Sequence, residues 1–171
     1  MMGVSGSGKT TLGTRVAKEL GWEFADGDSF HSPENIEKMA HGIPLTDMDR
    51  APWLATLRQL VAGWLDSGRG GVLACSALKA EYREELKVNS QVAFVYLKAS
   101  PELLRERMRS RSGHYMKAGM LESQLATFEE PRDALVVDVS RPIEETVREI
   151  LQAIGRGTSA PAKTEVDPRR R

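Results

Sequence analysis

Short apolar runs that alternate with amphipathic helical stretches predict an α/β chain, with a parallel sheet between two layers of helices. Two further observations narrow that class. A glycine-rich stretch, Gly3-Val4-Ser5-Gly6-Ser7-Gly8-Lys9-Thr10, runs straight into a helical pattern at the start of the chain. A cluster of arginines, Arg105, Arg107, Arg109 and Arg111, interrupts the alternation late in the chain and marks a segment of separate character. The 171 residues suffice for one domain with a sizeable core.

The first stretch fits Gly, four residues, then Gly-Lys-Ser/Thr, the pattern of a phosphate-binding loop. Glycines let the backbone turn tightly, so that successive N–H groups point into one concavity. Thr10 and Thr11 open a helix whose positive end adds to that field. The pattern assigns Gly3, Ser5, Gly6, Ser7, Gly8, Thr10 and Thr11 to nucleotide phosphates. Lys9 reaches the β- and γ-phosphates, and Thr10 offers a hydroxyl to Mg²⁺. The alternative is a glycine-rich turn before an ordinary helix. Such a loop follows a buried strand of about five residues. Only Met1 and Met2 precede Gly3, so the first strand is expected to be truncated, with a weaker fold as the consequence.

Leu12, Val16 and Leu20 keep helical spacing up to a Gly21 stop, which predicts a helix over about 9–20. Trp22-Glu23-Phe24-Ala25 alternates as a strand does and ends in Asp26-Gly27-Asp28-Ser29-Phe30-His31. Open α/β sheets keep their ligands at the carboxyl ends of strands. Ser32 and Pro33 supply an N-cap and a first-turn proline for a helix to Met39, which Gly42 and Pro44 break. Asp47-Met48-Asp49-Arg50 reads as a polar loop, with Asp49 capping the next helix. In that helix Trp53, Leu54, Leu57, Leu60, Val61, Trp64 and Leu65 form one apolar face. Val72-Leu73-Ala74-Cys75 is the continuous apolar run of a strand buried on both faces. An exposed helix with Tyr82 and Leu86 follows, then the clearest strand, 92–97. Ser100-Pro101 starts a helix to about Arg109, and another covers about 121–128. The last strand is 135–139, and Pro142 opens a final amphipathic helix to Ile154. From Gly155 the composition turns to Gly, Ser, Pro and charge. Residues 1–154 are therefore read as the domain and 155–171 as a disordered tail.

Lys+Arg and Asp+Glu both number 24, for a formal net charge of zero. That balance argues against nucleic acid as a partner, and any anion site must be built locally. The single cysteine, Cys75, excludes an internal disulfide and fits a reducing compartment. No apolar run reaches the length of about 18 residues that a membrane-spanning helix needs. The glycine loop begins at once and leaves no room for a signal peptide. The expectation is a cytoplasmic protein with no membrane partner.

Phosphoryl transfer needs Mg²⁺ and a group that orients the attacking hydroxyl. Asp26 and Asp28, at i and i+2 on an extended segment, point the same way and fit both needs. Asp28 is assigned to the acceptor hydroxyl and Asp26 to the metal side; a solvated aspartate turn is the alternative. His31 is a candidate for substrate or phosphate. Arg50, at a helix start, fits a clamp on a substrate carboxylate, or else a surface ion pair with Asp47 or Asp49. Ser76 and Lys79 follow the third strand on the edge that carries the phosphate loop, and Lys79 either contacts substrate or is solvated. The arginine cluster reads as a mobile lid over about 110–125, with Gly113 as its hinge. Arg107 and Arg111, four apart, share a helix face. Arg107 is assigned to the nucleotide, and Arg111 joins Lys9 and Asp28 as a catalytic candidate that meets the phosphates. A basic helix end satisfying its own dipole is the bland alternative. Cys75 is read as an inert core residue.

Taken together, these stretches resemble the gluconokinase family, in the shikimate-kinase-like group of small P-loop kinases. The resemblance is carried by Gly3 to Thr11 and by Asp26-Gly27-Asp28-Ser29-Phe30-His31. It continues in Gly42-Ile43-Pro44-Leu45, Asp47, Asp49-Arg50 and Pro52-Trp53-Leu54. Cys75-Ser76-Ala77-Leu78-Lys79, Tyr82-Arg83, Arg111, Gly113-His114-Tyr115-Met116 and Glu129-Glu130-Pro131 complete it. The phosphate loop is generic, whereas Gly42 to Leu54 and Cys75 to Lys79 are particular. The resemblance implies ATP, Mg²⁺ and D-gluconate as reactants, 6-phospho-D-gluconate as product, and a homodimer. Tyr115 stands where relatives often carry Phe. The rivals are shikimate kinase, against which Cys75-Ser76-Ala77 replaces a Gly-Gly-Gly, and a nucleoside monophosphate kinase. A nucleotide-binding module without catalysis is a third, opposed by Lys9, Thr10, Asp28 and the arginines.

Overall fold

β1 (Glu23–Asp26) pairs in parallel with β2 (Gly71–Ala74), and β3 (Val95–Lys98) pairs in parallel with β4 (Leu135–Asp138). The computed structural model describes residues 1–110 and 118–157. Residues 1–3 run between the two strand pairs. On one side Met1 N–H donates to the Leu73 carbonyl at 2.9 Å, and Cys75 N–H donates to the Met1 carbonyl at 3.0 Å. On the other, Met2 N–H donates to Val95 O at 2.8 Å and Leu97 N–H to Met2 O at 2.9 Å. The order across the sheet is therefore β1, β2, residues 1–3, β3, β4. Met2 forms an isolated parallel bridge to Tyr96 rather than a full strand. The short first strand expected from the sequence is thus present as a bridge, and its backbone groups are paired to both neighbours.

Side chains alternate across the sheet, as the period of a strand requires. On one face Val95, Leu97 and Val137 pack with Leu12 and Val16 of α1 (Lys9–Leu20) and with Val147 and Ile150 of α7 (Ile143–Gly157). On the other, Tyr96 and Met2 meet Trp53, Leu54 and Leu57 of α3 (Asp47–Asp66) and Tyr82 and Leu86 of α4 (Ala80–Leu86). A third cluster lies under the glycine loop. It joins Val4 to Met39 of α2 (Pro33–Ala40), Leu104 and Met108 of α5 (Pro101–Ser110), and Leu121 of α6 (Ala118–Thr127).

Several elements differ from the sequence reading. Residues 47–50 are not a loop but the first turn of α3. Thr46 is the N-cap: it accepts the Asp49 N–H at 3.2 Å, while Asp49 accepts the Thr46 N–H at 2.9 Å. This reciprocal pair satisfies two of the helix's orphan donors. Lys38 adds an ion pair at 2.7 Å and, with the Thr46 bonds, holds the Asp49 carboxyl down at about 2. α4 is not exposed on the side that carries Tyr82 and Leu86; both are buried against α3. β3 starts at Val95 rather than at 92, in register with Leu135 of β4, whose N–H donates to the Phe94 carbonyl at 2.9 Å. α7 continues through Gly157, past Ile154. Residues 158–171, read as tail, lie outside the described residues. Among the described residues no helix is long and apolar enough to cross a membrane.

Candidate active site

The glycine loop closes onto α1 at Gly8, which takes φ 93° at the N-cap. A left-handed residue there costs an L side chain free energy that glycine does not incur. No side chain caps this end of α1, and its first turn holds no acidic residue. Neither a side-chain cap nor a carboxylate therefore competes with an anion at this end of the helix. Ser5 and Ser7 are buried in the loop, and the Ser7 hydroxyl has no hydrogen-bond partner among the described residues. Gly6 passes over α5, where an added Cβ would meet the Leu104 carbonyl at 3.2 Å. Lys9 folds back along the loop, with Nζ donating to the Val4 carbonyl at 3.2 Å. Thr10 and Thr11 are exposed at the mouth.

Asp26 and Asp28 do not point the same way along an extended segment. The strand ends at Asp26, and 27–30 coil into a single 3₁₀ turn. Asp26 spans that turn. Its Oδ1 accepts the Asp28 N–H at 3.1 Å, and its Oδ2 accepts the Thr10 hydroxyl at 2.7 Å. The two carboxylates are thereby parted. Asp26 faces the loop threonine, while Asp28 lines an open cleft with His31, Arg50, Trp53, Ser76 and Gln124. Thr10 and Asp26 present adjacent hard oxygen donors beside the phosphate cradle. Mg²⁺ favours such a set, taking one or two carboxylates and completing its shell with phosphate and water.

Trp53 organises the cleft floor. Its indole N–H donates to the Gly27 carbonyl at 2.7 Å, in the turn between the two aspartates. Its ring stacks on His31, with centroids 4.4 Å apart and planes 10° from parallel. Burial pushes the His31 imidazole below its ordinary value, with Arg50 adding to the effect and Asp28 opposing it. His31 Nδ1 is buried and has no hydrogen-bond partner among the described residues.

Arg50 reaches the cleft from the first turns of α3. It donates to the Tyr82 hydroxyl at 3.2 Å, lies 3.6 Å from Asp47, and stands over the Tyr82 ring. Tyr82 in turn bonds Asp47, which Lys79 also grips at 2.6 Å. Lys79 and Tyr82 hold the Asp47 carboxyl below its usual range. The ion-pair alternative for Arg50 is therefore realised in this structure, through Asp47, while Arg50 still lines the cleft. Lys79 does not line the cleft; it is engaged by Asp47 and Glu81. The β2 end carries Ser76 into the cleft and turns through Ala77 at φ 43°, a left-handed value unusual for alanine. Buried Arg83 fixes that turn by donating to the Ala77 carbonyl at 3.0 Å and the Leu78 carbonyl at 3.2 Å. Arg107 donates to the Val139 carbonyl at 2.6 Å, so its guanidinium is engaged at the end of β4. Arg111, with the rest of residues 111–117 of the expected lid, lies outside the described residues. Cys75 is buried in the core, and burial pushes its thiol up to about 12.

Three side chains to which the sequence reading gave no role at the site share it: Trp53, Tyr82 and Gln124. Trp53 was legible only as core. Tyr82 sits on a helix too short for its periodicity to declare a buried face. Gln124 lies on α6, and nothing in its local sequence places it at the loop.

A phosphate cradle beside a cleft that holds a carboxylate, at the carboxyl edge of a sheet whose order switches at residues 1–3, defines the class: a small P-loop kinase. The family model described as shikimate kinase matches residues 5–155. The chain belongs, more narrowly, to the gluconokinase family. It is 50% identical to the gluconokinase of Gluconobacter oxydans over 78% of this chain and 75% of that protein. It is 41% identical to the thermoresistant gluconokinase of Escherichia coli K12 over 92% and 93% of the two chains. The crystal structure of a gluconokinase from Sinorhizobium meliloti superposes with a TM-score of 0.80 at 46% identity, covering 91% of this chain and 89% of that one.

Proposed function

We propose that the chain transfers the γ-phosphoryl group of ATP to the 6-hydroxyl of D-gluconate, giving ADP and 6-phospho-D-gluconate. The observation that carries this reading is the pairing of Asp28 and Arg50 in one cleft, in a chain that is 50% identical to a gluconokinase over 78% of its length. Asp28 accepts the hydrogen bond of the attacking hydroxyl and takes its proton as the O–P bond forms. Arg50 takes the carboxylate end of the sugar acid, and His31, which lines the same cleft, bonds a sugar hydroxyl. Lys9 and the loop N–H groups stabilise the charge that spreads over the transferred group. Thr10 and Asp26 would hold Mg²⁺, which when bound neutralises charge on the β- and γ-phosphates. Arg111 is assigned to the same phosphates on its sequence position. A homodimer and a cytoplasmic location belong to this proposal, the first resting on the family resemblance and the second on the single buried cysteine.

The test is ADP release by the purified chain with ATP, Mg²⁺ and, in turn, D-gluconate, shikimate and AMP. Gluconate should give turnover and the other two should not; turnover with shikimate or AMP alone would replace the reading. Arg50→Ala should raise the KM for gluconate by about 10- to 100-fold, the loss expected for a hydrogen bond to a charged group. An unchanged KM would move the carboxylate to another cation.

A further inference from the structure

Arg50 stands three residues after Asp47 on α3, a spacing at which arginine and aspartate share a helix face and attract. Left to themselves the two would pair directly, and the guanidinium would be drawn away from the cleft. In this structure they form an ion pair without a hydrogen bond, with Arg50 Nη1 3.6 Å from Asp47 Oδ1. Tyr82 intervenes. Its hydroxyl donates to Asp47 Oδ1 and accepts from Arg50 Nη1 at 3.2 Å. Lys79 Nζ donates to the other Asp47 oxygen, Oδ2, at 2.6 Å. Both oxygens of the carboxylate are thus engaged by groups other than Arg50.

A phenol has one proton to give. With that proton on Asp47, the Tyr82 oxygen can only accept from Arg50, so the direction of the relay is fixed. Burial, with the Asp47 carboxylate beside it, pushes the Tyr82 phenol above its ordinary value and keeps the proton in place. Tyr82 is 5% exposed and belongs to the core cluster of Trp53, Leu54 and Leu86, so its hydroxyl is a fixed point. Both contacts of the guanidinium run through Nη1. They leave unused its Nε–Nη2 edge, which can take a carboxylate by two parallel bonds. Arg50 and Tyr82 line the cleft with Asp28, whereas neither Asp47 nor Lys79 does.

We propose that Tyr82 is a positioning residue for recognition of the acceptor's acid group: its hydroxyl holds Arg50 off Asp47 and keeps the Nε–Nη2 edge for the carboxylate of the sugar acid. Tyr82 acts through Arg50, and for the identity of that carboxylate the inference rests on the gluconate reading.

The experiment is steady-state kinetics with D-gluconate and with D-gluconamide, which keeps the polyol and the 6-hydroxyl but lacks the charge. The proteins are wild type, Tyr82→Phe, Arg50→Ala, the double variant of those two, and Tyr82→Phe combined with Asp47→Asn. Phenylalanine keeps the ring that lies 5.7 Å from Arg50 and 5.4 Å from Lys79, and removes only the hydroxyl. Tyr82→Phe should raise the KM for gluconate by about 5- to 20-fold, with kcat and the KM for the amide within about twofold of wild type. In the Arg50→Ala background the same change should cost gluconate nothing further, as it must if Tyr82 works only through Arg50. Asp47→Asn added to Tyr82→Phe should recover most of the loss, because a neutral amide no longer draws the guanidinium away. An unchanged KM for gluconate in Tyr82→Phe, an equal loss for acid and amide, a loss that adds to that of Arg50→Ala, or no recovery with Asp47→Asn would overturn the proposal. A wild type that treated acid and amide alike, or used neither, would remove the gluconate reading and this inference together. A preference for the acid that Arg50→Ala abolishes and Tyr82→Phe retains would refute the role of Tyr82 alone.

Discussion

Asp28→Asn should lower kcat for gluconate phosphorylation by about 10²- to 10⁴-fold, the range of a lost general base, and leave ATP affinity nearly unchanged. Asparagine matches the shape of aspartate and can orient a hydroxyl, but it cannot take the proton. The backbone would not move. The bond that sets the turn runs from the Asp28 N–H to the Asp26 carboxylate, so it uses no atom that the substitution changes. The nucleotide side is separate as well, since it is Asp26 that meets Thr10. The measurement is steady-state kinetics with calorimetric ATP binding on the same preparation. An equal fall in ATP affinity would place Asp28 at the nucleotide and refute the assignment. Asp26→Asn supplies the contrast, because its loss should appear as a higher Mg²⁺ requirement.

What the sequence made legible was the chemistry that lies within short stretches. Lys9 to Leu20 has the bounds expected of it, because a glycine on each side and regular apolar spacing between them are local signals. Both aspartates were legible as a pair, but not their division of labour. That depends on the chain leaving the extended conformation at Gly27, and no local propensity announces it. Asp47 to Arg50 read as a loop because the apolar periodicity of the helix begins only at Trp53, and Met48 is exposed. The Thr46 and Asp49 spacing was the available signal, with Asp in place of the more usual Glu. The short first strand looked like a weakness because an apolar run was missing. Its backbone pairs nonetheless with both neighbours through Met1 and Met2, and those bonds need no particular side chains. Gln124 was invisible for the opposite reason, since its meaning comes entirely from the packing of α6 across a loop far away in sequence.

Gly27→Ala should lower kcat/KM by about 10²-fold, although the residue carries no functional group. The methyl would sit 2.8 Å from the Ala74 carbonyl and 3.3 Å from the nearest Leu57 methyl. The first of these is backbone of β2, which cannot swing aside as a surface side chain does. From the other side the Gly27 carbonyl is tied to the buried Trp53 indole. The turn that separates Asp26 from Asp28 is thus confined between β2 and α3, and an added carbon must push it outward. A displacement approaching 1 Å would spoil the alignment of the hydroxyl for in-line attack, which is the sensitivity the estimate rests on. Overpacking should also destabilise the fold by about 1–3 kcal/mol, readable as a lower Tm. Gly63→Ala is the control. It lies in α3 with nothing within 4 Å of the added carbon, so it should leave kcat/KM unchanged and raise stability slightly. Equal kinetics for the two variants would mean that the turn has room to spare. The parting of the two carboxylates would then owe nothing to the close approach of Gly27 to β2.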